Sequence, residues 1–456
     1  MGLTRQLAEF VAGVDAGALP DACWPSVRRG IADAIGVALA AAAEPVVGHA
    51  LALLGVAAAG GPSRIWTRPL HAACADVALV NATAAHALDF DDTGLRGHPS
   101  AVLAPVVLAQ AQALGLCWRD AVVGYVAGYE TWAELIGRDL DKHHAKGWHP
   151  SAVFGVVAAA AAAARLRRLP AATTAHALGI AASMAAGLVA NFGSMTKPLQ
   201  LGLAERNAVL AAALAERGVD AAGDALESPR GLLAALSPAG RVRLDGACRV
   251  GRDWRILRQP PNIKRYPTCY ATHRIIDAAL QLHAPLAGRI ADIDEIVIEL
   301  GEVQAAMLRR EPPDNGLDAR FSAPYVVACA LLRGDVRLQD FREQAVLAAQ
   351  LRQLLPRSRV VLLSQRDALE PLFSPADRVR VRMRDGSTVE SAAVQRARGH
   401  ASRPLEHAEL AAKFLDCAGI VLDEAGARAW WAHVCAPDDA PVRWPARTRR
   451  ASAATL

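Results

Sequence analysis

Four short clusters gather the residues able to do chemistry. They are Asp89-Phe90-Asp91-Asp92-Thr93 with His98-Pro99-Ser100 close behind, Lys146-Gly147-Trp148-His149-Pro150-Ser151, Gly193-Ser194-Met195-Thr196-Lys197-Pro198, and the stretch 264–273 (KRYPTCYATH), which ends in His273. They set carboxylates, imidazoles and ammonium groups in a chain otherwise dominated by Ala, Leu and Val. Ionisable groups are costly to bury in such a body unless they are paired or face a cavity. Grouped histidines and a lysine suit an anionic substrate and proton transfer near neutral pH. The chemistry this suggests is acid–base work on a small carboxylic acid.

Asp89, Asp91 and Asp92 crowd three carboxylates together, so some must be partnered or protonated. His86 precedes Asp89 on the same face of a helix-like stretch, 81–88. These aspartates could orient a catalytic histidine or lysine, act as acid or base, or merely cap a helix through Asp92 or Thr93. A divalent ion is a weaker reading, because the spacing is not that of an EF-hand; no metal site is expected. His98 and His149 each stand before a proline, which favours an extended histidine and a helix start. The apolar helix from residue 152 onward would aim its positive end at His149 and a bound carboxylate. In the third cluster Gly193 and Ser194 allow close approach of a ligand, Lys197 supplies charge, and Asn191 and Ser194 are candidate substrate contacts. Only five lysines occur, Lys142, Lys146, Lys197, Lys264 and Lys413, against a large excess of arginine. A lysine can therefore mark a place where a compact, titratable amine is wanted, or be one of the few that a bias toward arginine left behind.

The composition narrows the classes. The chain has 456 residues, 53% apolar and 21% charged, enough for two packed domains and too apolar for global disorder. Its net charge of +5 is the small difference between 50 basic and 45 acidic residues, spread without a basic block, so no nucleic-acid partner is expected. Eight scattered cysteines without a C-x-x-C pair suggest reduced thiols. The first residues carry Glu9 and Asp15 and lack a long apolar run, so no signal peptide is expected. The longest strongly apolar run, 152–164, is short of the roughly 20 residues of a membrane span. A cytoplasmic location with no membrane partner is the expectation. No P-loop, G-x-S-x-G or dinucleotide fingerprint appears.

Residues 1 to about 260 read as almost wholly helical, with Ala and Leu between Gly and Pro punctuation. The texture changes at Pro260-Pro261. Strands are expected over 293–300 and 359–363, and a hairpin over 379–389 turning at Asp385-Gly386. Helices are expected over 323–332 and 340–355. Helical composition returns from 405 to about 434, and the tail 436–456 should pack irregularly or fray. The fold class is thus mainly α with a smaller α+β domain. Both chain ends (1–262 and 403–456) would form the large helical domain, and 263–402 an inserted α/β lid. From that second domain His273 could close over a substrate, or else be a buried residue starting a helix over 274–282.

The ordered set of DFDDT with HPS, GWHP, GSMTKP, YPTC-x3-H and DARFSAPY (318–325) resembles the MmgE/PrpD family, which includes 2-methylcitrate dehydratase, cis-aconitate decarboxylase and iminodisuccinate epimerase. The resemblance spans most of the chain. It implies an enzyme without cofactor, a homodimer, and an active site between a helical domain and a smaller lid. Carried onto this sequence, its active-site groups are Asp89, Thr93, His98, His149, Lys197 and His273, with Tyr325 as an added substrate contact. Gly94 and Gly97 shorten the link from Thr93 to His98, and Gln200 stands where the family often has a histidine; both bear on substrate identity. A 2-methylcitrate dehydratase-like hydro-lyase is the leading expectation, with His149 first and His98 second as the proton-exchanging imidazole. Decarboxylation of cis-aconitate and epimerisation of an imino-dicarboxylate are the alternatives. From another class, the alternative is a carboxylate-binding protein without turnover.

Overall fold

A computed structural model describes residues 2–54, 60–309 and 311–445. The chain divides into two compact units, Met1–Ile263 with Glu406–Leu456, and Lys264–Leu405.

The first unit is built from helices that are apolar around most of their circumference. Gly155–Leu166 buries every residue except Arg165, and Pro99–Ala113 is buried from Pro99 to Ala111. Such helices must be surrounded by other helices to hide their apolar area. Thr196–Glu216 lies against Cys74–Ala87, Trp118–Gly137 against Gly155–Leu166, and Cys23–Ala40 against His407–Ala418 from the far end of the chain. Alanine and glycine set the spacing: a Cβ on Gly202 would stand 2.1 Å from Thr83 Oγ1 and 2.4 Å from the Leu79 carbonyl oxygen. Among the described residues no single helix is long and apolar enough to cross a membrane.

One expectation for this unit needs correction. The helical reading of 1–260 overreached: beyond Glu216 only Leu232–Leu236 and Arg255–Arg258 are helical, and a small hairpin pairs Ser63–Ile65 with Leu70–Ala72. Gly218, Gly240, Gly246 and Gly251 all take positive φ, a conformation that ends helices rather than extending them. The tail, as far as Pro445, packs irregularly, as expected. Trp444 stacks on Trp430 with centroids 4.9 Å apart, and Val442 N–H donates to the Leu116 carbonyl at 3.1 Å. Residues 446–456, the rest of that expectation, lie outside the described residues.

The second unit carries a four-stranded sheet in the order Ser358–Leu363, Ile293–Gly301, Arg378–Met383, Thr388–Glu390. The first pair is parallel and the others antiparallel. Alternation in Arg378–Met383 sends Val379, Val381 and Met383 into the core, with Ile296, Ile298 and Leu300 beside them. The helices His273–His283 and Ala323–Arg333 pack within the same core. The opposite face is charged, with Glu295–Arg359 and Glu390–Arg380 pairs at 2.9 Å. Gly386, at φ +86, makes the hairpin turn after Asp385. The helix expected over 340–355 is broken into the short pieces Leu338–Phe341, Glu343–Val346 and Ala349–Leu354.

The close contact at Gly202 generates a stability prediction. Alanine would gain about 1 kcal/mol of helix propensity there. The Cβ, however, meets a backbone carbonyl that cannot swing away, and overpacking costs about 1–3 kcal/mol. Gly202→Ala should therefore unfold at lower urea concentration than the wild type, by the equivalent of up to about 2 kcal/mol.

Candidate active site

The DFDDT loop begins where Cys74–Ala87 ends. His86 occupies the last turn of that helix, and the chain leaves through Asp89 at φ +50, a left-handed conformation that Asp tolerates better than most residues. The loop is then pinned from the far end of the sequence. Lys413 donates to the Phe90 carbonyl at 2.9 Å, sits 3.8 Å over the Phe90 ring, and pairs with Asp33, all in buried surroundings. Thr93 closes the loop by exchanging backbone hydrogen bonds with Asn262 at 2.9 and 2.7 Å.

This geometry gives the three aspartates different fates. Asp89 takes the Lys197 ammonium at 2.8 Å, a part-exposed pair. Asp91 has no exposed side-chain surface; its Oδ2 accepts from His86 Nδ1 at 2.9 Å and lies 3.0 Å from His98 Nδ1. The His98 contact is within ion-pair reach although off the line of a good hydrogen bond. Burial alone would raise the Asp91 carboxyl, but the two imidazoles overcome it and hold it well below the ordinary range. Asp92 goes the other way: burial, with Asp33 nearby, pushes its carboxyl well up. It accepts from Ser100 N–H at 3.0 Å and bonds the Ser100 hydroxyl, capping the start of Pro99–Ala113.

Tautomers follow from these contacts. A carboxylate oxygen cannot donate, so His86 carries its proton on Nδ1, and burial keeps the ring neutral with a value down to about 4. Nδ1 of His98 faces the same oxygen and must also bear the proton, which leaves Nε2 as its working nitrogen, 3.9 Å from Asp89 Oδ1. The rings of His86 and His98 are 4.4 Å apart, and His149 stacks beyond His86 at 5.9 Å.

His98 and His149 both occupy the position before a helix, and neither side chain caps it, so both imidazoles are turned to other partners. The two HPS motifs meet directly, since His98 N–H donates to Ser151 Oγ at 3.1 Å. A side chain on Gly97 would strike that hydroxyl, with a Cβ at 2.5 Å. The helix expected from 152 onward is split into Pro150–Val153 and Gly155–Leu166. Across the site, Lys197 Nζ lies 5.3 Å from the Phe192 ring centre, and that ring meets His149 edge-on at 4.9 Å. Burial, followed by the charges of His86, His98 and Lys197, holds His149 far below the usual imidazole range.

The structure thus brings Asp89, His98, His149 and Lys197 into one cluster and places Thr93 in the adjoining loop. Asn191 and Ser194 shape the lysine loop: the Ser194 hydroxyl donates to the Asn191 carbonyl at 2.8 Å, and Lys197 N–H donates to the Ser194 carbonyl at 3.1 Å. His273 and Tyr325 belong to the second unit. His273 is fully buried at the head of His273–His283, with Tyr266 and Tyr270 at 5.2 and 5.0 Å. Tyr325, expected to touch substrate, instead fills the core; its hydroxyl donates to the Asp340 carbonyl at 2.5 Å, a packing role. Ligand atoms of His86, Asp89, Asp91 and His98 lie within 4.8 Å of one another, a span that fits a divalent ion. The Lys197 ammonium already serves as the cation beside Asp89.

Comparison with known proteins bears on the same residues. The MmgE/PrpD N-terminal domain matches residues 5–245 and the MmgE/PrpD C-terminal domain residues 266–435. The chain belongs to the MmgE/PrpD family. It is 29% identical to the cis-aconitate decarboxylase of Mus musculus over 429 residues, 90% of this chain and 86% of that protein. It is equally 29% identical to the cis-aconitate decarboxylase of Homo sapiens, covering 90% and 87% of the two chains. The cis-aconitate decarboxylase of Aspergillus terreus is 26% identical over 76% of this chain and 75% of its own.

Within this MmgE/PrpD chain, the sequence reading left Asp91, His86, Gln200 and Lys413 off the site. His86 and Asp91 were visible as neighbours of Asp89. Lys413 carried only the signal of lysine scarcity. Its pair with Asp33 predicts that Lys413→Met, which leaves a buried carboxylate without its ammonium, destabilises the protein by about 3–5 kcal/mol in urea unfolding. Combining it with Asp33→Asn should recover part of the loss.

Proposed function

We propose that this chain is a lyase that decarboxylates a cis-aconitate-like unsaturated tricarboxylate with its side chains alone. The observation that carries this reading is the Asp91–His98 contact beside the Lys197–Asp89 pair: an imidazole with one oriented nitrogen next to an ammonium. The relatives named above, cis-aconitate decarboxylases matching up to 90% of the chain, favour decarboxylation over the 2-methylcitrate dehydratase-like reaction that led the sequence expectations.

In the proposed reaction Lys197 binds a substrate carboxylate and spreads the charge that develops as CO2 departs. The bond between the CH2 carbon and its carboxylate breaks. Its electron pair forms a new C=C to the adjacent alkene carbon, and the old double-bond pair moves to the far alkene carbon. That carbon, next to another carboxylate, takes the Nε2 proton of a His98 ring that enters the step protonated on both nitrogens and leaves it neutral. Asp91 keeps the Nδ1 proton in place throughout, and water re-protonates His98, whose side chain is 14% exposed. His98 therefore replaces His149 as first choice for the proton, because His149 is nearly sealed from solvent and its Nδ1 is occupied by Gln200.

Proton NMR in D2O with cis-aconitate, citrate, 2-methylcitrate and iminodisuccinate tests this. CO2 release from cis-aconitate with one deuterium on the product CH2 is expected. Water loss from a hydroxy acid, or deuteration with inversion of iminodisuccinate, would replace it with the dehydratase or epimerase reading. Ligand stabilisation without any turnover would leave a binding protein. With an active substrate, His98→Ala should lower kcat about 10²–10⁴-fold while the protein stays folded. Treatment with EDTA should leave the rate unchanged; loss of activity restored by a divalent ion would move the His86, Asp89, Asp91, His98 group to a metal role.

A further inference from the structure

Gln200 is buried on the helix Thr196–Glu216, one turn beyond Lys197, and its amide is committed at both ends. Oε1 accepts from the Leu188 backbone N–H at 3.0 Å. Nε2 lies 2.8 Å from His149 Nδ1 and 3.4 Å from the Leu188 carbonyl oxygen. An amide side chain has one accepting and one donating end, and Leu188 N–H can only donate. Turning the amide over would set N–H against N–H and O against O at the same residue. Nε2 is therefore the donor to His149, so His149 Nδ1 holds a lone pair and the neutral ring carries its proton on Nε2.

The frame around this contact is rigid. His149 N–H donates to the Gly187 carbonyl at 3.0 Å and Val189 N–H to the Gly147 carbonyl at 2.9 Å, which tie the two segments together. Gly187 takes φ +143, where a Cβ would lie 2.7 Å from that of Ala152. We propose that Gln200 is a positioning residue that locks His149 as the Nε2–H tautomer, so that His149 serves as a fixed hydrogen-bond donor to a carboxylate of the substrate and not as a base. Two imidazoles in one site then have opposite settings: His98 offers Nε2 for proton exchange under the control of Asp91, and His149 offers Nε2–H under the control of Gln200. Environments that push two like groups apart are how one site holds separate roles. A neutral donor stabilises developing negative charge without giving up its proton. What the donor serves rests on the lyase reading; the lock itself does not.

The test uses the full chain with 15N-labelled histidine, and His149→Ala to assign the signals. The expected wild-type spectrum has His149 Nδ1 as the unprotonated nitrogen and Nε2 as the protonated one. Gln200→Glu presents an accepting oxygen and should move the proton to Nδ1. It should lower kcat about 10²-fold and add an ionisation to the pH profile. Gln200→Met fills the same space without either hydrogen bond and should free the tautomer, with a smaller loss and no added ionisation. A wild-type His149 protonated on Nδ1 overturns the lock. A tautomer that moves in Gln200→Glu while kcat and the pH profile stay unchanged overturns the positioning role, as do equal losses in both variants with the wild-type tautomer kept. If no substrate in the panel turns over, the lyase reading fails, and the spectra still decide the lock.

Discussion

The site depends on an ionised carboxylate that has no contact with water. Isolated, a buried Asp91 would be too costly to keep charged, and it would take up a proton. Two imidazoles remove that cost, His86 by a hydrogen bond and His98 by a close ion-pair contact. Because Asp91 accepts and cannot donate, it dictates where both rings carry their protons. One buried charge thus orients His98, keeps His86 in a single tautomer, and holds together the end of Cys74–Ala87 and the start of Pro99–Ala113.

That arrangement needs a loop that cannot relax. Phe90, between two site aspartates, is held through its carbonyl and its ring by Lys413. Lys413 is itself neutralised by Asp33, on the helix against which its own helix packs. The joining of the two chain ends in one helical unit is therefore tied to the shape of the site. Alanine-rich helices make this possible: small side chains bring backbones close, and the few charged groups between them have room only for a matched partner.

The sequence made the chemistry legible where partners are near in the chain or where a motif is complete. Asp89, His98, His149 and Lys197 all sit in short clusters and all converge. The strands were legible because a β-branched run and an Asp-Gly turn are local signals, as in Arg378–Met383 and the turn after it. What stayed hidden was the pairing. That Lys197 belongs to Asp89 and His98 to Asp91 is a matter of tertiary packing, as is the link from Gln200 to His149, 51 residues away. The helical reading failed between Glu216 and Ile263 because Ala and Leu content says little about a segment interrupted by glycines in left-handed conformations. The place of Tyr325 was hidden for a related reason: a motif places a residue in the chain, but only packing shows that its hydroxyl donates to the Asp340 carbonyl.

The exposure of the two ionised aspartates separates their roles in the proposed reaction. Asp91 is sealed, and its partners are neutral or shared imidazoles; removing it would strand them. The Asp89 side chain is 26% exposed and Lys197's is 17%, so water still reaches their ion pair. A surface-accessible pair of this kind is worth little by itself, because solvent screens it. A substrate carboxylate entering the site offers Lys197 a second anion at little cost to the resident one. Asp89 then acts as a counter-ion that keeps the ammonium in place while the site is empty and shares it when the site is filled. In that proposed reaction the carboxylate that controls tautomers stays with its imidazoles, and the one that holds Lys197 shares it with the substrate. Such a division lets one loop carry adjacent aspartates without their repulsion undoing it.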